Sequence, residues 1–256
     1  MPKQPDALWI DTNPSFERFH RSTIRYLSNQ LTIAHWQYYQ NPDEASSLAV
    51  PLTLLHDYLK SANKPIHLIG HGMGGLVGLL YARKHPERVK SLALLGVGVN
   101  PSVDWQLQYY ALRKILPCSR EIVLAQMVKN LFGYQEKYRV KNLVEILEKD
   151  LDSSPSPHSL YQRVGIAPGG VSMPLMVCGS KDDAIVDDSA LQGWQVWFKQ
   201  GDRLWQCPQG YHFFHYFYPQ QVGRQILKFW QSLANSSLEK TQDLEISIIE
   251  TPAVNC

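Results

Sequence analysis

Cysteine is scarce in this chain, long apolar runs are missing, and charge of either sign is never massed. The four cysteines, Cys118, Cys178, Cys207 and Cys256, are widely spaced and form no CxxC pair. That excludes a disulfide framework and a paired-cysteine zinc site. No apolar stretch approaches the ~20 residues that span a bilayer. The opening segment MPKQPDALWIDTN has no apolar core of the signal-peptide kind. With a net charge of +2 and no basic run, there is nothing to grip a phosphate backbone, and a nucleic-acid partner is excluded. The expectation is a cytoplasmic protein with no membrane span, no cofactor and no metal. At 256 residues, 44% apolar and 19% charged, the chain suits one globular α/β domain carrying an insertion.

What is present centres on Pro65 to Ala82, PIHLIGHGMGGLVGLLYA. Ile66, Leu68 and Ile69 form a short apolar run without polar alternation, as in a parallel strand buried on both faces. Glycines then cluster at Gly70, Gly72, Gly74 and Gly75, and Leu76, Val77, Leu79 and Leu80 supply the apolar side of a helix ending near His85-Pro86. Strand, sharp turn and helix follow one another.

This stretch resembles the nucleophile elbow of the α/β-hydrolase superfamily, G-x-S-x-G, in its common GHSMGG version. Gly72 stands in the serine place, while Gly70, His71, Met73, Gly74 and Gly75 match. An elbow holds its central residue at positive φ, a strain of about 1–3 kcal/mol for a residue with a Cβ. Glycine has none to strain. The turn is therefore expected to survive the replacement. Attack by a serine is not, since losing the triad serine costs roughly a millionfold in turnover in a well-studied case.

The resemblance orders the rest of the chain. Ala7 to Asp11, a helix from Ser15 to about Asn29, and Leu31 to Trp36 match the superfamily's third strand, first helix and fourth strand, so the two strands that usually open the sheet are missing. The loop after the first of these strands commonly carries an HG motif that gives one amide to the oxyanion hole. Here it reads Asp11-Thr12-Asn13-Pro14. Pro14 has no N–H, and Asp11 would set negative charge near a developing oxyanion. The second donor, the Met73 amide, is expected to remain. Pro51 opens a helix with Leu52, Leu55 and Leu59 on one face. Val89 to Val99 follows as a strand, in a phrase, HPERVKSLALLGVG, that resembles PERVxxLVLL of the superfamily.

Three helical stretches come next: Trp105 to Leu116, Arg120 to Phe132 and Lys137 to Leu151. They sit where the superfamily places its cap. The expected division is a hydrolase core over residues 1–99 and 173–234, a helical cap over 100–172, and a polar tail over 235–256 whose LEISII run could pair as an edge strand. Cap residues Trp105, Tyr109, Tyr110, Met127, Phe132 and Tyr134 either line an apolar cavity or pack the cap onto the sheet. His71, Met73, Asp11, Thr12, Trp105 and Tyr109 are the expected binding residues.

The segment PLMVCGSKDDAIVDD resembles the superfamily's seventh strand and acid loop. Its D-x-I/L-V ending puts Asp183 in the acid position, and counting from Gly179 selects Asp182 instead. QGYHFFHYFYPQQV resembles the histidine loop, with His212 on the catalytic histidine, His215 on a frequent second one, and Pro219 at the entrance of the last helix. The resemblance implies an α/β-hydrolase fold: a mostly parallel central sheet, lacking its first two strands, with a helical cap. Its triad is degenerate, Gly72, Asp183 and His212. Two functions follow from it: a binding module for an apolar small molecule between core and cap, or for a protein; or a weak non-serine hydrolase or lyase in which His212, oriented by Asp183, acts as general base on a small ester. Cys178 and Cys207 are excluded as nucleophiles, being strand residues remote from the elbow.

Overall fold

The computed structural model describes residues 4–41, 43 and 45–249, with side chains described as far as residue 235. Six short apolar segments form one sheet: β1 (Ala7–Asp11), β2 (Ile33–Gln37), β3 (Ile66–His71), β4 (Val89–Leu95), β5 (Leu175–Ser180) and β6 (Arg203–Cys207). Their order across the sheet is β2-β1-β3-β4-β5-β6, and every adjacent pair is parallel. Every residue of β1, β3 and β5 is buried, because helices cover both faces.

Side chains of successive residues leave a strand on opposite faces, and the sheet divides its core accordingly. Leu8, Ile10, Leu68, Leu92, Leu94 and Val177 join one apolar cluster. Their neighbours Trp9, Ile69, Ala93, Leu95, Met176 and Cys178 join the other. The first face receives α2 (Ala49–Leu59) and α3 (Gly72–Lys84), through Leu55, Leu59, Val77 and Leu79. The second receives α1 (Glu17–Ser28) and the last helix, α9 (Pro219–Ile249), through Leu27, Val222, Ile226 and Phe229. Between β4 and β5 lie α4 (Trp105–Ile115), α5 (Arg120–Phe132) and α6 (Lys137–Ser153). Asp104 caps α4 by accepting the Leu107 amide at 2.8 Å, and Ser119 caps α5 through the Ile122 amide. Two short helices, α7 (Asp188–Gln192) and α8 (Phe214–Phe217), follow β5 and β6 respectively.

Three expectations need correction. The strand from Val89 stops at Leu95, not Val99, where Gly96 turns at φ +61°. The helix expected to start at Pro51 starts at Ala49, leaving the proline within the first turn, where a missing N–H costs nothing. From residue 235 the chain is helical and not an edge strand: α9 runs unbroken to Ile249. No proline or glycine occurs between Ala234 and Ile249, so nothing stops the helix. The rest of the expected tail, residues 250–256, lies outside the described residues.

Candidate functional site

The site is built where β1, β3 and β5 end. Strand β3 passes directly into α3, with Gly72 at the apex at φ +50°. A Cβ placed there would lie 3.8 Å from His212 Nε2, so the apex faces the imidazole with only a hydrogen between. Gly74 is required for a different reason: any Cβ at that position would run into the Ile10 carbonyl of β1, and its absence lets α3 lie close on the sheet.

The acid loop follows β5. Asp183 Oδ1 accepts the amides of Ile185 at 2.8 Å and Val186 at 3.1 Å, which fixes the carboxylate. Its Oδ2 accepts the Nδ1–H of His212 at 2.9 Å, with both groups buried. Asp182 turns the other way. It accepts the Ser180 hydroxyl at 2.5 Å and the amides of Tyr211 at 2.8 Å and Gly210 at 3.2 Å, so it holds the histidine loop without touching the histidine. Tyr211 is the single non-glycine residue at positive φ, +54°, among the described residues. The Asp182 bonds to its amide and to that of Gly210 brace this strained step.

The loop after β1 is closed on itself. Asp11 Oδ1 accepts the Asn13 amide at 2.9 Å, and Oδ2 lies 3.2 Å from His35 Nε2. The Asn13 amide is therefore engaged rather than offered to a developing oxyanion. The Asn13 side chain donates to Asp150 at 3.0 and 3.2 Å. Asp150, fully buried on α6, also accepts from Ser154 Oγ at 2.6 Å, Trp105 Nε1 at 3.2 Å and Gln106 Nε2 at 3.3 Å. Burial pushes its carboxyl up to about 7 against these four hydrogen-bonding neighbours. This cluster bolts the helical insertion to the β1 loop.

The space between elbow and insertion is almost filled. Its volume is about 10 Å³, walled by His71, Gly72, Met73 and His212 from the core, by Asn13, Phe16 and Phe213, and by Asp104, Trp105 and Gln106 from the insertion. Of the expected binding residues, His71, Met73 and Trp105 line it. Asp11 and Thr12 do not, because the Asp11 carboxylate turns back to His35 and to the Asn13 amide. Tyr109 packs instead against Trp105 and Tyr110. Tyr134 is 84% exposed and far from any lining role. Asp104, Gln106 and Asp150 are not among the residues that the sequence singles out, and Asn13 is so only as part of the loop after the first strand. Asp150 carried a legible signal: it continues the buried stripe Leu143, Val144 and Leu147 at helical spacing, where a carboxylate demands partners. Asp104 was legible only as a helix cap. Burial pushes the Cys178 thiol up, in keeping with an inert strand cysteine.

A larger opening lies next door. Phe213 stacks on Phe132 with centroids 4.5 Å apart and planes 6° apart, and is flanked by Phe16 and Phe19. Beyond that wall is a cleft of about 460 Å³ between α1, the insertion and α8, lined by Phe19, Phe132, Tyr216 and Phe217 and rimmed by Arg18 and Arg139. Arg18 lies over the Phe19 ring at 4.8 Å. Neither arginine has a carboxylate partner among the described residues.

Comparison with known proteins agrees with this architecture. A family described as the alpha/beta hydrolase fold matches residues 48–136. An uncharacterized protein of Nostoc sp. is 45% identical over 226 residues, 88% of this chain and 90% of that protein. Among solved structures, naproxen esterase from Bacillus subtilis superposes with a TM-score of 0.68 at 16% identity, covering 90% of this chain and 85% of that one. A serine hydrolase from Cycloclasticus zankles gives 0.65 at 14% identity, covering 90% and 91%. These likenesses extend over the parallel sheet and its covering helices, and with the strand-turn-helix at Gly72 they establish that the chain belongs to the α/β-hydrolase fold superfamily.

Proposed function

We propose that this protein has given up serine-dependent acyl transfer and works as a binding module, with the helical insertion serving as its cap. The observation that carries this is Gly72: the turn that would present a nucleophile is intact, and its apex bears no side chain. Two further features support it. The Asn13 amide is committed to Asp11, and about 10 Å³ above the elbow is room for roughly one water and not for an ester. The cleft beside Phe132, at about 460 Å³, falls in the usual range for small-molecule sites, roughly 300–1,000 Å³. Its aromatic walls and a rim of arginines, of which Arg18 is held by the Asn142 Oδ1 and neither by a carboxylate among the described residues, suit an apolar molecule with an anionic group. On p-nitrophenyl esters of several chain lengths the purified protein is expected to be silent. An apolar aromatic anion such as anilinonaphthalene sulfonate is expected to bind saturably. Labelling of a serine by a fluorophosphonate probe would overturn this reading.

A second reading is favoured by one arrangement. His212 keeps its hydrogen bond to Asp183 and faces the water-sized space, and the Gln106 Oε1 in its wall is buried without a partner. A water held there would be within reach of a general base. In that case slow ester turnover appears and His212→Ala abolishes it.

A further inference from the structure

Beside the elbow, three imidazoles converge from separate parts of the chain. His20 comes from α1, His71 from the end of β3 and His215 from α8. All three are buried, and one nitrogen from each lies within 4.8 Å of the others. The sequence spacing does not mark them, and the sequence alone led to the expectation of a protein without metal. We propose that His20, His71 and His215 form a site for one divalent transition-metal ion of the Zn²⁺ class, a structural clamp tying α1 and the histidine loop to the elbow. The inference stands independently of the binding-module reading.

The outer partners of these rings set their tautomers in a way that suits ligation. His71 Nε2 lies 3.0 Å from the His212 carbonyl, which can only accept, so the proton sits on Nε2 and Nδ1 carries a lone pair. His20 Nε2 faces Asp11 Oδ1 at 3.8 Å, and the carboxylate draws the proton to that side. His20 Nδ1 is then an acceptor, and it lies 2.9 Å from His215 Nε2, which must donate. The remaining nitrogen, His215 Nδ1, is buried with no hydrogen-bond partner. A carboxylate or a backbone carbonyl on the far nitrogen of a ligating histidine is the usual support for a metal site; His71 has a carbonyl at hydrogen-bond distance, and His20 has a carboxylate at 3.8 Å.

Metal binding here needs no proton to leave. With an ion in place of the His20–His215 hydrogen bond, the His215 proton moves to the vacant Nδ1, and Nε2 becomes the ligand. Burial, the leading cause, together with the neighbouring imidazoles, holds His71 and His215 well below the usual histidine range, and burial also lowers His20. Zinc–nitrogen bonds of roughly 2.0–2.1 Å place ligand nitrogens roughly 3.3 Å apart in a tetrahedron. The present separations, up to 4.8 Å, reach that by ring movements on the order of an ångström.

The test uses untagged full-length protein, stripped with chelator and titrated with Co²⁺ and with Zn²⁺ against a chromophoric competitor. The expected result is one equivalent bound per chain, a visible Co²⁺ ligand-field band and a higher melting temperature with metal. His20→Gln and His215→Gln each reduce bound metal to background, and Asp11→Asn weakens it by about 10–100-fold. His56 and His85 stack at 4.1 Å elsewhere on the molecule, so His85→Ala is the control and leaves binding unchanged. Should the cluster variants fail to fold, the wild-type Co²⁺ band decides. Absence of that band and of a bound equivalent, or retention of metal by His215→Gln, overturns the site and leaves a hydrogen-bonded imidazole network.

Discussion

The two spaces on either side of the Phe132–Phe213 stack divide chemistry from room. On the elbow side His212, held by Asp183, and the bare apex at Gly72 border a volume of about 10 Å³. On the other side about 460 Å³ is open, with aromatic walls and arginines at the rim but no nucleophile or base. A hydrolase needs both in one place, since its reacting carbonyl must sit within hydrogen-bond reach of base and oxyanion donors. Here a wall of two stacked rings keeps them apart. The insertion enforces the separation, because Trp105 and Gln106 are pinned over the elbow by Asp150.

The comparison can be broken most forcefully at the wall. Phe213→Ala removes a fully buried ring in contact with three phenylalanines, and is expected to destabilise the fold by about 3–5 kcal/mol and to join the two spaces. Chemical denaturation measures the first effect. An apolar aromatic anion reaching His212, seen as a shift of its imidazole resonances, measures the second.

Asp150 comes next in size. Its carboxyl is raised in the folded state, so the native protein binds a proton that the unfolded chain has released between about pH 4 and about pH 7. Native burial of the neutral acid is thus fully favourable at low pH, and stability is lost as pH rises through the folded value, by a few kcal/mol in order of magnitude. Asp150→Asn is expected to flatten that slope, and melting temperatures from pH 4 to 8 in both proteins would show it. A slope unchanged in the variant would mean that another group carries the effect.

Smaller still is the rim. Replacing Arg18 and Arg139 together by alanine is expected to weaken an aromatic anion by about 1 kcal/mol, roughly fivefold, and to leave a neutral aromatic probe unaffected. Equal losses for both probes would remove the charge argument and leave only the aromatic walls.

The smallest expected effect is on the elbow itself. Gly72→Ser has room for its side chain, with the Cβ 3.8 Å from His212 Nε2, yet ester turnover is expected to stay near background. The Asn13 amide is still taken and the chamber still filled. Turnover rising to ordinary esterase levels would show that the missing hydroxyl is the sole defect and that the two spaces communicate in solution.

Much of this was legible before any coordinates. Unalternated apolar runs mark the buried strands, because a sheet covered on both faces asks for apolar residues at every position. The glycines at 70, 72, 74 and 75 mark the elbow, because a missing Cβ removes the strain of a turn at φ +50° at Gly72 and, at Gly74, lets the following helix lie against β1. Asp183 and Asp182 could not be told apart conclusively by spacing, as both lie in one short loop. The direction each carboxylate takes depends on amides from Ile185 and Val186 for one and from Gly210 and Tyr211 for the other. The last helix was misread from residue 235 on, since a polar segment without breakers has the composition of a tail and the propensity of a helix.

Local sequence thus determined the strands, the caps, the elbow and the absence of its nucleophile, all of which depend on residues within a few positions of one another. Tertiary structure alone decided that the elbow space is closed, that a cleft opens behind Phe132, that Asp150 reaches Asn13 across 137 positions, and that His20, His71 and His215 meet. Each of those depends on how far apart two packed surfaces come to rest, a property of the whole core that no short stretch of chain encodes.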